Sequence, residues 1–260
     1  MLLVFDVGNT ESTLGLFDAS NLRAHWRIVT DTARTPDEVG LVLRGLLAAR
    51  GVAVPDVHGV AIGSVVPGMN ESLIAGCTDL FGRKPLMVDA RSPLPITLDV
   101  LEPMTVGADR LINTLAASRL FAADTIVVDL GTATTYDCIT RDGVFLGGVI
   151  APGIRTSAET LFRRTSKLPA TELLSPERVI GRRTEDCIRS GVVFGAAAAL
   201  DGIVDRIRAE WPTGREPLVV ATGGLAPMIA PICRTVDRVE PFLTLQGLSL
   251  AFELLSGSGG

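Results

Sequence analysis

Two short stretches of the chain repeat one pattern, the first near its start and the second near its middle. They are Asp6-Val-Gly-Asn-Thr10 and Asp129-Leu-Gly-Thr-Ala133, and each follows an apolar run typical of a buried strand. A glycine two residues after the aspartate permits a tight turn that brings backbone N–H groups close to an anion. The aspartate itself suits a hard cation, which prefers oxygen ligands. One Asp-x-Gly is common in ordinary turns, but two at matching places predict a duplicated domain with nucleotide held between its halves.

Composition limits the classes of protein to consider. The chain has 260 residues, 47% of them apolar, which is enough for a folded core in one large domain or two ordinary ones. A net charge of −5 and a pI near 5.1 argue against a nucleic-acid partner, which would favour a basic face. The sequence does not begin like a signal peptide, and no apolar run approaches the ~20 residues of a membrane span. We therefore expect a soluble cytoplasmic protein with no membrane partner.

The order of predicted elements is the same in the two halves. In the first half, Thr35-Pro36-Asp37-Glu38 has the pattern of a capping box and predicts a helix start, with the helix ending by Gly51. Its other predicted elements are strands at 2–7, 13–17, 23–29, 57–66 and 86–88, and a helix at 69–81. The second half has predicted strands at 125–130, 133–140, 144–150 and 218–221, and helices at 111–121, 184–211 and 245–255, before a frayed tail at 256–260.

Three antiparallel strands followed by alternating helices and strands, found twice, predict two duplicated ribonuclease-H-like domains. The predicted fold class is α/β, with mixed sheets flanked by helices as in the actin-like ATPases. We expect an N-terminal half at residues 1–100 and a C-terminal half at 101–260. The crossover between them is expected at about 90–124, where three prolines fall between 90 and 103.

Five motifs follow one another along the chain: Asp6-x-Gly-Asn-Thr10, Gly107-Ala-Asp-Arg110, Asp129-x-Gly-Thr132, Gly147-Gly-Val-Ile-Ala-Pro-Gly153 and Thr222-Gly-Gly224. This set and its order resemble one enzyme family, the type III pantothenate kinases of bacteria. The resemblance extends over about residues 1–255, and Gly-Ala-Asp-Arg is its most specific element. It implies ATP-dependent phosphorylation of the 4′-hydroxyl of pantothenate, the first step of coenzyme A biosynthesis, by a homodimer that uses Mg²⁺ and K⁺ or NH₄⁺.

The resemblance also implies a role for individual residues. Asp109 would be the catalytic base, and Asp129 would hold the monovalent cation. The residues that would bind ATP are Asp6, Val7, Gly8, Asn9, Thr10, Glu11, Ser12, Thr13 and Thr132. The residues that would bind pantothenate are Gly107, Ala108, Asp109, Arg110 and Thr184.

The residues themselves are compatible with phosphoryl transfer, which requires positioning and neutralisation of charge. No G-x-x-x-x-G-K-[ST] motif is present, so backbone N–H groups and cations must meet the charge of the phosphates. Asp109 could accept the proton of an alcohol as the P–O bond forms. Arg110 could hold the carboxylate of the substrate or could pair with Asp109. Alternatively, Gly-Ala-Asp-Arg could be only the N-cap of the next helix with a solvated arginine.

Three residues depart from the family pattern. Val100 replaces a tyrosine that many members use in the substrate pocket, and Glu102 replaces an asparagine before Pro103. Glu11 adds a negative charge to the first glycine loop, which would oppose ATP unless the side chain faces solvent or the metal. These changes affect the expected pocket shape and ATP affinity, while the catalytic set is complete.

Two other functions remain compatible with the sequence. One is a non-catalytic, nucleotide-binding regulatory relative of the same fold, and the other is a kinase of the same superfamily for another small hydroxylated substrate. The small residues Gly191, Gly195 and 196–199 on the predicted long helix allow two interpretations. They could pack against a second subunit that completes the pantothenate pocket, or they could let the helix lie flat on its own sheet.

Overall fold

The computed structural model of the chain describes residues 1–257. The strands and α-helices in this range are, in order, β1 (Leu2–Val7), β2 (Glu11–Asp18), β3 (Asn21–Val29), α1 (Pro36–Ala48), β4 (Gly59–Ser64), α2 (Pro67–Phe81), β5 (Leu86–Val88), β6 (Thr97–Leu98), α3 (Ala108–Leu120), β7 (Thr125–Leu130), β8 (Ala133–Ile139), β9 (Val144–Pro152), α4 (Ile154–Arg164), α5 (Thr184–Ala209), β10 (Leu218–Thr222), α6 (Ala226–Ile229), β11 (Arg238–Val239) and α7 (Leu243–Gly257).

Two sheets share one strand order. The first is β3-β2-β1-β4-β5, and the second is β9-β8-β7-β10-β11 with β6 added beside β9. Strands β1–β3 pair antiparallel in the first sheet and β7–β9 do so in the second, while β4 and β10 pair parallel to β1 and β7. Strands β5 and β11 then pair parallel to β4 and β10. Both central strands are buried except for the aspartate near their end. The prediction of a duplicated α/β fold with mixed sheets is confirmed.

The chain divides into two compact units. Unit 1 contains Met1–Ile96, Leu101–Ala116 and the segment that starts at Leu243, and unit 2 contains Thr97–Val100 and Ala117–Phe242. This division differs from the predicted one between residues 100 and 101. The reason is that α3 and α7 pack in unit 1: a Cβ at Gly63 of β4 would lie 2.4 Å from Ile112 Cδ1, and one at Gly247 of α7 would lie 2.5 Å from Ile112 O.

Helix α1 begins where the capping box predicts. The Thr35 hydroxyl accepts a hydrogen bond from Glu38 N (3.4 Å), and the Glu38 carboxylate accepts one from Thr35 N (2.8 Å). Such a cap typically contributes about 1 kcal/mol to helix stability. Val39, Leu43 and Leu47 recur every four residues and bury one face of the helix in the core of unit 1. The helix ends at Ala48, and Gly51 adopts a left-handed φ of 67° in the turn that follows.

Two helices differ from their predicted character. Helix α7 includes Ser256 and Gly257, which were predicted to fray, while 258–260 of that predicted tail lie outside the described residues. Helix α5 is long and apolar enough to cross a membrane by length and composition alone, although the sequence was predicted to contain no apolar run of that length. Core helices pass the same test, and α5 buries Val193, Leu200 and Val204 in the core of unit 2. Its composition is therefore weak evidence for a membrane span.

Candidate active site

The first glycine loop connects β1 to β2 in unit 1. Gly8 N donates a hydrogen bond to Glu11 O (3.2 Å), which closes the turn. Thr30, directly after β3, donates from its hydroxyl to Gly8 O (2.6 Å) and from its backbone N–H to Thr10 O (3.0 Å). Asn9 and Thr10 are exposed at the tip. The predicted loop is thus a compact turn whose tip is open to a ligand.

Two predicted ATP-binding residues at the start of β2 have contrasting surroundings. The Ser12 side chain is buried, with 1% of the residue exposed, and its Oγ lies 2.9 Å from Thr30 Oγ1. Glu11 is exposed, and its carboxylate lies 4.0 Å from the guanidinium of Arg27 on β3. The charge of Glu11 is therefore partly offset by a neighbouring cation and faces solvent, which reduces its conflict with a phosphate.

The Gly107–Arg110 segment lies at the same sheet edge as this loop. Asp6 is in register with Gly63 of β4, and a Cβ at Gly63 would lie 3.8 Å from the Ala108 Cβ. Val65 N donates to Val7 O (3.1 Å), and a Cβ at Gly107 would lie 3.3 Å from Val65 Cγ1. Both predicted motifs of unit 1 thus meet where β1 and β4 end.

Asp109 lies in the first turn of α3, because the helix begins at Ala108 rather than at the predicted residue 111. Its Oδ1 accepts a hydrogen bond from Arg110 N (2.9 Å). Burial raises the pKa of Asp109, and this effect exceeds the opposing effects of the Arg110 N–H and guanidinium. A carboxylate with a raised pKa is a stronger proton acceptor than an ordinary exposed one.

The second glycine loop connects β7 to β8 in unit 2. Gly131 N donates to Ala133 O (3.1 Å), and the hydroxyl of Thr156 in α4 donates to Thr132 O (2.8 Å). Gly153, which precedes α4, lies so close to this loop that a Cβ there would be 2.1 Å from Thr132 O. Gly153 closes the Gly147–Gly153 motif, so that motif supports the loop that carries Thr132.

Backbone that follows the neighbouring strand lies close to the carboxylate of Asp129. Thr222 of β10 is in register with it, and Gly223 follows with a φ of 88°. A Cβ at Gly223 would lie 2.4 Å from Asp129 Oδ1 and 2.8 Å from Leu130 N. A carboxylate oxygen is the kind of ligand that a hard cation prefers. Among residues 1–257, no group of three or more His, Cys, Asp or Glu side chains forms a metal site.

Thr184 is the exposed first residue of α5 in unit 2. The first-turn N–H groups of a helix lack intrahelical acceptors, which favours an anion there, although Glu185 and Asp186 already supply negative charge in this turn.

The sequence analysis missed Thr30, Thr156 and the role of Gly223. A threonine near the end of a strand and a glycine in a Gly-Gly pair are both common in sequences. Their roles become apparent only when the folded sheet places them beside the loop.

Comparison with known proteins assigns the family. The sequence profile described as type III pantothenate kinase matches residues 2–206. A type III pantothenate kinase from Moorella thermoacetica is 43% identical over 255 residues, covering 97% of this chain and 99% of that protein. The chain belongs to the type III pantothenate kinase family. The resemblance stated on the five motifs is confirmed, and the protein is assigned as a kinase of coenzyme A biosynthesis.

Solved structures place the type III pantothenate kinase fold among the actin-like ATPases and sugar kinases. A conserved Campylobacter jejuni protein provisionally named as a Baf-family transcriptional activator has a TM-score of 0.59 at 17% identity, covering 98% of this chain and 99% of that chain. The ROK hexokinase from Thermus thermophilus has a TM-score of 0.51 at 13% identity and covers 99% of both chains. At such identities the likeness concerns the fold alone.

Proposed function

We propose that this kinase transfers the γ-phosphoryl group of ATP to the 4′-hydroxyl of pantothenate in the cytoplasm, where ATP is available. The observation that carries the proposal is the position of Asp109, a half-buried carboxylate at the sheet edge that also holds the first glycine loop. A family member that had lost catalysis would have no need to keep a desolvated carboxylate there, because burying a charge is unfavourable.

In this proposal the glycine loops meet the phosphates of ATP. Backbone N–H groups of the Asp6–Thr13 segment and Thr132 of the second loop bind ATP, and Mg²⁺ neutralises part of its charge. Lys84 and Lys167 lie outside both loops, so neither takes the place of a P-loop lysine. Potassium or ammonium bound by Asp129 would supply positive charge in unit 2.

Asp109 acts as the general base. A primary alcohol barely ionises at neutral pH, so the Asp109 carboxylate accepts the hydroxyl proton as the new P–O bond forms. Its raised pKa brings its basicity closer to neutral pH. Gly107, Ala108 and Arg110 hold the pantothenate around this base, and Thr184 contributes a further polar contact.

The decisive experiment is a substrate panel with purified protein, ATP and Mg²⁺. Pantothenate, N-substituted pantothenamides and hexoses are each tested in potassium, ammonium and sodium buffers, with ADP release and ATP binding measured separately. We expect pantothenate turnover in potassium or ammonium and weak turnover in sodium. Turnover of hexoses alone would indicate a different kinase, and ATP binding without turnover would indicate a regulatory relative. Equal rates in potassium-free buffer would remove the monovalent cation from the mechanism.

We further propose a homodimer that packs through α5. Gly191, Gly195 and Ala198 are exposed along this helix, and apart from its chain neighbours and the nearby backbone of the helix itself, a Cβ at Gly191 or Gly195 would meet no atom of residues 1–257 within 4 Å. The alternative, that these two glycines let α5 lie flat on its own sheet, therefore gains no support. Small exposed residues would permit close approach of a second helix, and the second subunit would complete the pantothenate pocket.

Gly195→Leu tests the dimer. We expect a folded monomer in sedimentation and loss of pantothenate binding, because the added side chain would separate the two helices. Ala209→Leu, at the exposed end of the same helix, is the matched control and should remain dimeric. A fully active wild-type monomer, or a dimeric and active Gly195→Leu protein, would rule out this interface.

A further inference from the structure

Thr30 holds two carbonyl groups of the first glycine loop. Its hydroxyl donates to Gly8 O at 2.6 Å, and its backbone N–H donates to Thr10 O at 3.0 Å. A third loop carbonyl, that of Glu11, accepts from Gly8 N at 3.2 Å. Three of the four carbonyl groups from Gly8 to Glu11 thus have donors within unit 1.

The direction of the hydrogen bonds around Thr30 follows from its single hydroxyl proton. Because Thr30 Oγ1 donates that proton to Gly8 O, it can only accept from Ser12 Oγ, 2.9 Å away. The order of donation is therefore Ser12 hydroxyl to Thr30 hydroxyl to Gly8 carbonyl. Ser12 is 1% exposed, so water has little access to compete for its proton.

This arrangement fixes the peptide unit between Gly8 and Asn9. In a trans peptide the C=O and N–H groups point in opposite directions, so a carbonyl held by Thr30 directs the Asn9 N–H away from Thr30. Glycine permits rotation of this unit at low steric cost. If it rotated, a carbonyl oxygen would face the anion in place of an N–H group.

We propose that Thr30, supported by Ser12, is a positioning residue for ATP that keeps the Gly8–Asn9 peptide oriented toward the phosphates. The proposal rests on the proposed function of the first loop as a phosphate-binding element. In it Thr30 does not touch ATP, and the Ser12 side chain acts through Thr30. Loss of the Thr30 hydroxyl should therefore weaken ATP binding and leave pantothenate binding unchanged.

The test compares Thr30→Val with Thr78→Val. Thr78 is a matched control because its hydroxyl also donates to a backbone carbonyl at 2.6 Å in unit 1, to Ile74 O within α2. For each variant we would measure the KM for ATP, the KM for pantothenate, kcat, the direct Kd for ATP and the melting temperature. We expect Thr30→Val to raise the KM and Kd for ATP about 3- to 10-fold, the range for one neutral hydrogen bond. Thr30→Ser should restore both.

The outcomes separate this proposal from the proposed function. An ATP affinity of Thr30→Val within twofold of the wild type, or an equal loss in Thr78→Val, would overturn the positioning role. If Thr30→Val fails to fold, Ser12→Ala and Thr30→Ser are compared instead. The positioning role then predicts weaker ATP binding in Ser12→Ala and normal ATP binding in Thr30→Ser. If the wild-type protein binds ATP but does not phosphorylate pantothenate, the proposed function alone is wrong. The positioning role can still be tested in that case, because the Kd for ATP can be compared between Thr30→Val and the wild type. No ATP binding by the wild type would overturn both.

Discussion

The two glycine loops are equivalent in strand order but are held by different parts of their units. In unit 1, Thr30 holds the loop at the end of β3 and is joined to the buried Ser12 hydroxyl. In unit 2, Thr156 holds the loop from the first turn of α4 and is exposed. A threonine hydroxyl on a loop carbonyl thus recurs with two different supports. In both units a threonine hydroxyl fixes the glycine loop, but the threonine comes from a different secondary-structure element in each unit.

The glycines around the two aspartates differ in a similar way. In unit 1, Gly63 lies beside Asp6 and admits α3, which carries Asp109 to the sheet edge. In unit 2, Gly223 follows the partner of Asp129 and brings backbone directly against its carboxylate. The first arrangement brings a second carboxylate, the proposed base Asp109, to the sheet edge, while the second places backbone close to a single carboxylate, the proposed cation ligand. This contrast supports different chemical roles for the two halves.

Asp109→Asn is expected to have the largest effect. If unit 1 supplies the base, this nearly isosteric change should lower kcat by roughly 10²- to 10⁴-fold. ATP affinity, potassium response and melting temperature should stay close to those of the wild type. Steady-state kinetics and ATP titration measure these quantities.

Asp79→Asn provides the control for this prediction, because Asp79 is an exposed carboxylate on α2 of the same unit. It should have wild-type kinetics. Near-normal turnover by a folded Asp109→Asn protein would show that the two halves do not divide the chemistry as proposed.

Gly223→Ala should have the next largest effect, on stability. Alanine at a φ of 88° is strained, and its Cβ would lie 2.4 Å from the Asp129 carboxylate. We expect a loss of about 1–3 kcal/mol in the free energy of unfolding, measured by urea denaturation. Gly131→Ala is the matched control in the same loop region, since its Cβ would lie at an ordinary 3.5 Å from Ala133 O. Equal stability of the two variants would contradict the close packing at Asp129.

The sequence was sufficient to predict the paired loops and most of the elements around them. Apolar runs that end in Asp-x-Gly identify β1 and β7 because a buried strand and its polar end are adjacent in the chain. The Thr35–Glu38 capping box locates α1 because a cap is a local structure. Family resemblance added Asp109 and the remaining motif residues, and their individual roles stay predictions.

The rest could not be predicted because it depends on contacts distant in sequence. The return of α7 to unit 1 depends on the fit of Gly247 against Ile112. The bond from Thr30 to Gly8 joins residues 22 positions apart. The division at residues 100 and 101 assumed continuous halves, whereas α3 spans the limit between the units.

The smallest change in rate at neutral pH is expected for variants that shift only the pH dependence of turnover. That shift would still show whether a carboxylate of unit 1 or one of unit 2 controls the reaction. The base is active only as a carboxylate, so kcat/KM should fall as the pH drops through the pKa of Asp109. Because burial raises this pKa, the acid limb should lie above the range of an ordinary carboxyl group. The Arg110 guanidinium opposes this rise, so Arg110→Gln should move the limb to still higher pH, while Arg119→Gln, at the exposed end of the same helix, should not. An acid limb that stays in place in Arg110→Gln would mean that a group other than Asp109, such as a carboxylate of the second loop, controls the profile.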